Sequence, residues 1–109
     1  MKHRRLILMT LLLALAACGP AAPIQTTLAA LSEAQRDFNG RHVEVAGVLR
    51  TFPNPRHYWI ENESLDRVAL EGDHDFSSYV GQTVEVSGVF AFDRDRGRRI
   101  RVEQLDASP

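Results

Sequence analysis

Apolar and polar residues alternate most clearly in two short runs. Val43 and Val45 flank Glu44, and Val84 and Val86 flank Glu85, the period of two that marks a strand with one buried face. Both runs sit inside a longer echo. Gly40-Arg41-His42-Val43-Glu44-Val45-Ala46-Gly47-Val48-Leu49 aligns with Gly81-Gln82-Thr83-Val84-Glu85-Val86-Ser87-Gly88-Val89-Phe90 at an offset of 41, and six of the ten positions are identical. An aromatic precedes each at the same offset, Phe38 and Tyr79, and before that comes a capping residue, Ser32 and Asp73. Each unit therefore predicts a short helical turn, an aromatic plug, a glycine turn and a strand. Ser32 with Gln35 fits a capping box, and Asp73 suits an N-cap. Gly47 and Gly88 interrupt β-branched runs, where an interior glycine weakens a strand unless it marks a bulge or bend, so both strands are expected to bend there.

Three further strands follow from the same period. His57 to Asn62 contains Tyr58, Trp59 and Ile60; Arg67 to Glu71 has Val68 and Leu70 on one face. Glu63-Ser64-Leu65-Asp66 is the turn between them. Arg99 to Leu105 sets Ile100 and Val102 against Arg99, Arg101 and Glu103, and Asp93 to Arg98 is a hairpin tip with Gly97 at its turn.

Five strands with a short helical segment between the third and fourth resemble the OB-fold, an all-β, partly open five-stranded barrel. The resemblance runs from about Leu28 to Leu105. It is carried by Gly-x-x-Val-x-Val-x-Gly-Val at strands one and four and by the Phe76-to-Gly81 plug. The domain is similar to small bacterial envelope proteins with OB-like domains. An SH3-like barrel, also five-stranded and glycine-bent, is the alternative.

The OB resemblance implies a ligand face on strands two and three, framed by two loops. The first is Thr51-Phe52-Pro53-Asn54-Pro55-Arg56-His57, with Arg50 just before it. The second is Asp93-Arg94-Asp95-Arg96-Gly97-Arg98. With Ile60 inward, Trp59 and His57 point outward. The candidate ligand-binding residues are therefore Arg50, Phe52, Arg56, His57 and Trp59, where aromatics beside arginines suit stacking on sugars, bases or peptides. To these are added Arg94, Arg96 and Arg98, whose guanidinium forks suit an oxyanion. The bland reading makes the aromatics barrel-end plugs and lets the alternating Asp and Arg of the hairpin pair with one another. His74, between Asp73 and Asp75, reads as a helix-entry residue rather than a metal ligand, because adjacent loop residues rarely converge on one ion.

The N-terminus carries a separate message. Lys2, His3, Arg4 and Arg5 precede the 12-residue apolar stretch Leu6–Ala17, interrupted only by Thr10. That is signal-peptide length, short of the roughly 20 residues a membrane span needs. Leu15-Ala16-Ala17-Cys18 then resembles the lipobox of bacterial lipoproteins at all four positions. The resemblance implies cleavage before Cys18 and acylation of that residue, the chain's one cysteine. Stable anchoring takes more than one acyl chain, and a triacylated cysteine supplies it. Gly19 in place of Asp after the cysteine implies the outer membrane, facing the periplasm, in a diderm host. An ordinary secretory cleavage after Ala14-Leu15-Ala16 is the alternative.

The chain thus divides into a signal peptide (1–17), a lipidated cysteine with a Pro- and Ala-rich tether (18–25) and a barrel domain (26–109). Without the leader, 92 residues remain, carrying ten arginines, no lysine and 14 acidic residues, a formal charge of −4. An acidic chain exported to the envelope is a poor candidate for binding nucleic acid. One cysteine permits neither a disulfide framework nor a cysteine zinc site, and no cofactor is expected. No Ser-His-Asp order, nucleophile elbow, phosphate loop or paired-carboxylate motif is present, so the expectation is not an enzyme. It is a lipid-anchored binding module for a small anionic or glycan ligand or a protein. The alternative is a structural or stress-related envelope lipoprotein that docks on a larger complex.

Overall fold

A computed structural model describes residues 22–108. The chain runs β1 (Ile24–Gln25), α1 (Leu28–Glu33), α2 (Gln35–Phe38), β2 (His42–Pro53), β3 (Arg56–Glu61), β4 (Arg67–Glu71), a 3-10 turn (Phe76–Tyr79), β5 (Thr83–Asp93) and β6 (Gly97–Ala107). The sheet order is β1-β2-β3-β4-β6-β5, and β5 returns to pair with β2. Five strands therefore close a ring. All its contacts are antiparallel except β4 with β6. This is the OB order, and the SH3-like alternative is set aside.

The two echoed segments pair with each other. Val45 faces Val86, and their neighbours exchange places around that pair: Val43 meets Gly88 and Gly47 meets Val84. The hydrogen bonds repeat in the same way. Gly40 N–H donates to Phe90 O and Phe90 N–H to Arg41 O; Gly81 N–H donates to Leu49 O and Leu49 N–H to Gln82 O. The helical turns α2 and Phe76–Tyr79 occupy equivalent positions, and Gly40 and Gly81 both take positive φ (79° and 88°), a conformation costly for a side chain with a Cβ. The sequence echo is thus an approximate internal twofold in the fold.

The alternation buries one face. Val43, Val45, Leu49, Ile60, Val68, Val84, Val86, Phe90 and Ile100 are sealed in the barrel, with Leu28 and Leu31 of α1 and Phe76 closing over it. Phe38 and Tyr79 pack at its margins as plugs.

Several boundaries differ from the sequence reading. Ser32 is inside α1, and the cap is Thr27, whose Oγ1 accepts from Ala30 N–H at 3.1 Å. The second turn is led by Asp75 rather than Asp73, and the Asp75 carboxylate accepts from the Ser77 and Ser78 hydroxyls. These hydroxyls, Ser78 first, hold its carboxyl below the ordinary range. Ile24 and Gln25, placed in the tether, pair in parallel with Val43 and Glu44. The two glycines expected to bend do different things. Gly47 lies under Leu28, where a Cβ would stand 2.8 Å from Leu28 Cδ1 and 3.0 Å from Ile60 Cβ. Gly88 lies at a bulge, where a Cβ would stand 2.0 Å from Arg101 O. The bulge is on β6: Ser87 faces Gln104 and Gly88 faces Val102, leaving Glu103 unpaired. That extra residue resets the alternation, so Leu105 packs on the core although it is odd-numbered against Ile100 and Val102.

Candidate ligand face

Both predicted loops are largely strand. β2 runs to Pro53 and β3 resumes at Arg56, leaving only Asn54-Pro55 as the turn. β5 and β6 leave only residues 94–96. The extended hairpins carry their side chains in strict register, and register builds the outer face.

Arg50 lies opposite Trp59, and Phe52 opposite His57, so these four share the outer side of β2 and β3. Their rings form a strip. Phe52 and His57 have centroids 5.9 Å apart, His57 and Trp59 5.3 Å, and the Arg67 guanidinium sits 5.3 Å from the Trp59 ring centre. That last spacing is within range of a cation–π contact. Phe52 is 52% exposed, so the strip is open to solvent at its outer end. Glu61 organises the other end. It accepts from Trp59 Nε1–H at 2.7 Å, and its carboxylate lies 3.4 Å from Arg67 Nε and 3.9 Å from Arg50 Nε. His57 is fixed as well, its Nδ1 2.7 Å from Pro55 O, and Arg56 is exposed beside it. The reading of Trp59 as outward is correct, while Tyr58 turns in against Phe76, 5.4 Å between ring centres.

The arginine-rich hairpin divides its residues. Arg94 is exposed on the turn. Arg96 reaches across to Glu71, 2.7 Å between Nη2 and Oε2. Arg98, expected on the ligand side, has the inward parity of Ile100 and points to the barrel end. There its Nε donates to Arg67 O at 3.0 Å and its Nη1 to Gln35 Oε1 at 3.1 Å. These bonds make it a brace between β6, β4 and α2. Arg99 and Arg101, which the sequence placed on the opposite face of that strand without assigning them a role, take the outward place. Arg99 pairs with Glu71 (3.2 Å) and Asp93 (2.7 Å). Asp93 accepts first from the Arg96 backbone N–H and then from Arg99, and both hold its carboxyl below the ordinary range. The signal that could have found Arg99 and Arg101 was their shared parity with Arg67, Ala69 and Glu71 across β4.

His74 Nε2 lies 2.9 Å from Val102 O, pinning the entry to the second helical turn onto β6. Glu44 and Glu85, equivalent residues of the echo, meet on the outer face of β2 and β5. The hydrogen bond that a protonated Glu85 donates to Glu44, and then the Glu44 charge, push the Glu85 carboxyl up. Among the described residues, no three His, Cys, Asp or Glu side chains gather as a metal site, and no helix is long and apolar enough to cross a membrane. Cys18 lies outside the described residues.

No protein-family model matches the chain, and no curated protein matches it significantly. Solved structures do. The S. pombe Stn1-Ten1 complex superposes with a TM-score of 0.60 at 13% identity, over 83% of this chain and 80% of that one. The E. coli hypothetical protein ygiW gives 0.60 at 20% identity, over 83% of this chain and 95% of that one. A putative aspartyl-tRNA synthetase from Leishmania major Friedlin gives 0.53 at 10% identity, over 85% of this chain but only 22% of its own. At these identities the likeness establishes a shared barrel, and one barrel serves many chemistries.

Proposed function

We propose that this chain is a lipid-anchored, non-catalytic binding module of the bacterial cell envelope, and that it holds an acidic glycan on the outer face of β2 and β3. The observation that carries the reading is the strip of Phe52, His57, Trp59 and Arg67, ordered by Glu61 and partly open to solvent. Sugar rings present C–H faces that stack on aromatic planes. Trp59 offers its ring for this, since its N–H is already engaged. Arg50 and Arg56 flank the strip and suit the carboxylates of an acidic sugar. Its His57, Trp59 and Arg67 lie on β3 and β4, the second and third strands of the barrel, which is the face OB barrels use. Leu15-Ala16-Ala17-Cys18 supports the anchor, and the outer membrane is its place in a diderm host.

Thermal shift against a panel of acidic and neutral oligosaccharides tests the binding. A ligand at 100 times its Kd adds about 2.7 kcal/mol of stability. Trp59→Ala should weaken the best ligand by about 2 kcal/mol, roughly thirtyfold, as loss of a central aromatic anchor does. If no oligosaccharide shifts melting while a stoichiometric protein partner is recovered, the docking lipoprotein is the better reading. Labelling with a fatty-acid analogue tests the anchor independently. Incorporation should vanish in Cys18→Ala, and equal labelling of both forms rules the anchor out.

A further inference from the structure

The hairpin shapes a second concavity that the aromatic strip does not use. A cleft of about 510 Å³ lies on the outer face where β4, β6 and β5 meet, within the usual range of small-molecule sites. Its floor is Gly72, Val89 and Ala91; its rim is Arg96, Arg99 and Arg101. Register makes this mixture. Val89 lies opposite Arg101 and Ala91 opposite Arg99, so each apolar floor residue has an arginine beside it. Val89 is 36% exposed, so part of its apolar side chain faces the cleft.

The charges on this rim do not balance. Glu71 pairs with both Arg96 and Arg99, and Asp93 with Arg99, at 2.7–3.2 Å. Arg101 faces Glu71 in the β4–β6 register but makes no ion pair among the described residues. Three guanidinium groups thus meet two carboxylates. The Glu71 carboxylate, gripped by two of them, shows that the rim accepts a carboxylate in good geometry. One positive charge and an apolar floor are left over.

We propose that this cleft is a binding site for a small organic acid. Its carboxylate pairs with Arg101 and its short hydrocarbon body lies on Gly72, Val89 and Ala91. The site stands apart from the glycan face: Trp59, Ala69 and Arg99 lie on successive strands, so the two are separated by about 10 Å of sheet.

Amide shifts of the full-length chain in a non-ionic detergent, titrated with butyrate at constant ionic strength, test this. Butyrate should move the amides of Gly72, Val89, Ala91 and Arg101 and saturate. Neutral butyramide should not, and acetate should bind more weakly because it lacks the body. Arg101→Gln should weaken butyrate at least tenfold, while Glu71→Gln should tighten it severalfold by releasing Arg96 and Arg99. Arg36→Gln removes the same charge from α2 and should change nothing. The proposal is overturned if Arg36→Gln and Arg101→Gln weaken binding alike, because the effect is then general charge. It is equally overturned if butyramide matches butyrate, or if acetate and inorganic phosphate bind as tightly as butyrate, which makes the cleft a site for inorganic anions only.

Discussion

The two echoed units, one ending in β2 and the other in β5, share a helical turn, a plug, a positive-φ glycine and a strand, and they differ in what comes after. Beyond Leu49, β2 continues through Arg50 and Phe52 and pairs with β3, giving the aromatic strip. Beyond Phe90, β5 continues through Ala91 and Asp93 and pairs with β6, giving the arginine cleft. The repeated part builds the barrel wall, and the extensions carry Arg50, Phe52 and Ala91 of the two proposed sites. Even within the repeat, equal residues solve unequal problems. Gly47 makes room for the Leu28 side chain, while Gly88 makes room for backbone at the β6 bulge.

The sharpest way to break that comparison is to fill both glycines. Gly88→Ala should cost about 3 kcal/mol or more in denaturant unfolding, because the obstruction is backbone and cannot rotate away. Gly47→Ala should cost about 1–2 kcal/mol, since the Leu28 terminus can shift. It should cost still less when Leu28→Ala is already present, a non-additivity that a double-mutant cycle reads directly. Equal costs at both glycines would erase the distinction. Thr27→Ala, which uncaps α1 over the first unit alone, should cost about 1 kcal/mol.

The smallest effect lies at the meeting point of the two units. Glu85 is held above the ordinary carboxylate range by Glu44, so the folded chain takes up a proton more readily there than the unfolded chain. Stability should therefore rise as pH falls through that raised value and decline as pH climbs back through it. Glu85→Gln should flatten this window in melting curves taken across pH. Asp75 and Asp93 act in the other direction. Their lowered values mean that the stability they contribute is present above the ordinary carboxylate range and is lost as pH falls through their folded values.

Much of the barrel was legible because its information is local. Val43-Glu44-Val45 and Val84-Glu85-Val86 declare a buried and an exposed face, and the echo declares that they belong together. Trp59 was legible for the same reason, as the outward neighbour of Ile60. What failed was information held across strands. The bulge at Glu103 appears only in the pairing of β6 with β5, and no alternation within residues 99–105 records it. Arg98 looked like Arg96 in a run of arginines. Only the closure of the barrel against α2 makes one a brace and the other part of a rim. Arg99 and Arg101 were seen as one face of a strand, but the cleft needed β4 beside them, a parallel neighbour 30 residues earlier whose Ala69 and Glu71 lie opposite these two arginines. Ser32 lost the cap to Thr27 because α1 begins earlier, drawn over the core by Leu28 and Leu31.

The two-residue strand β1 has a mechanical meaning. A pull on the chain ahead of Ile24 is borne first by the pairs Ile24–Val43 and Gln25–Glu44 and by the Thr26 N–H bonded to Glu44 O. Behind them stand Leu28 and Leu31, bedded in the core. Tension is thus delivered to β2 within its seam with β5 rather than to a loose end. The first link to yield under such a pull is a two-residue parallel pairing, set ahead of a barrel closed by longer antiparallel seams.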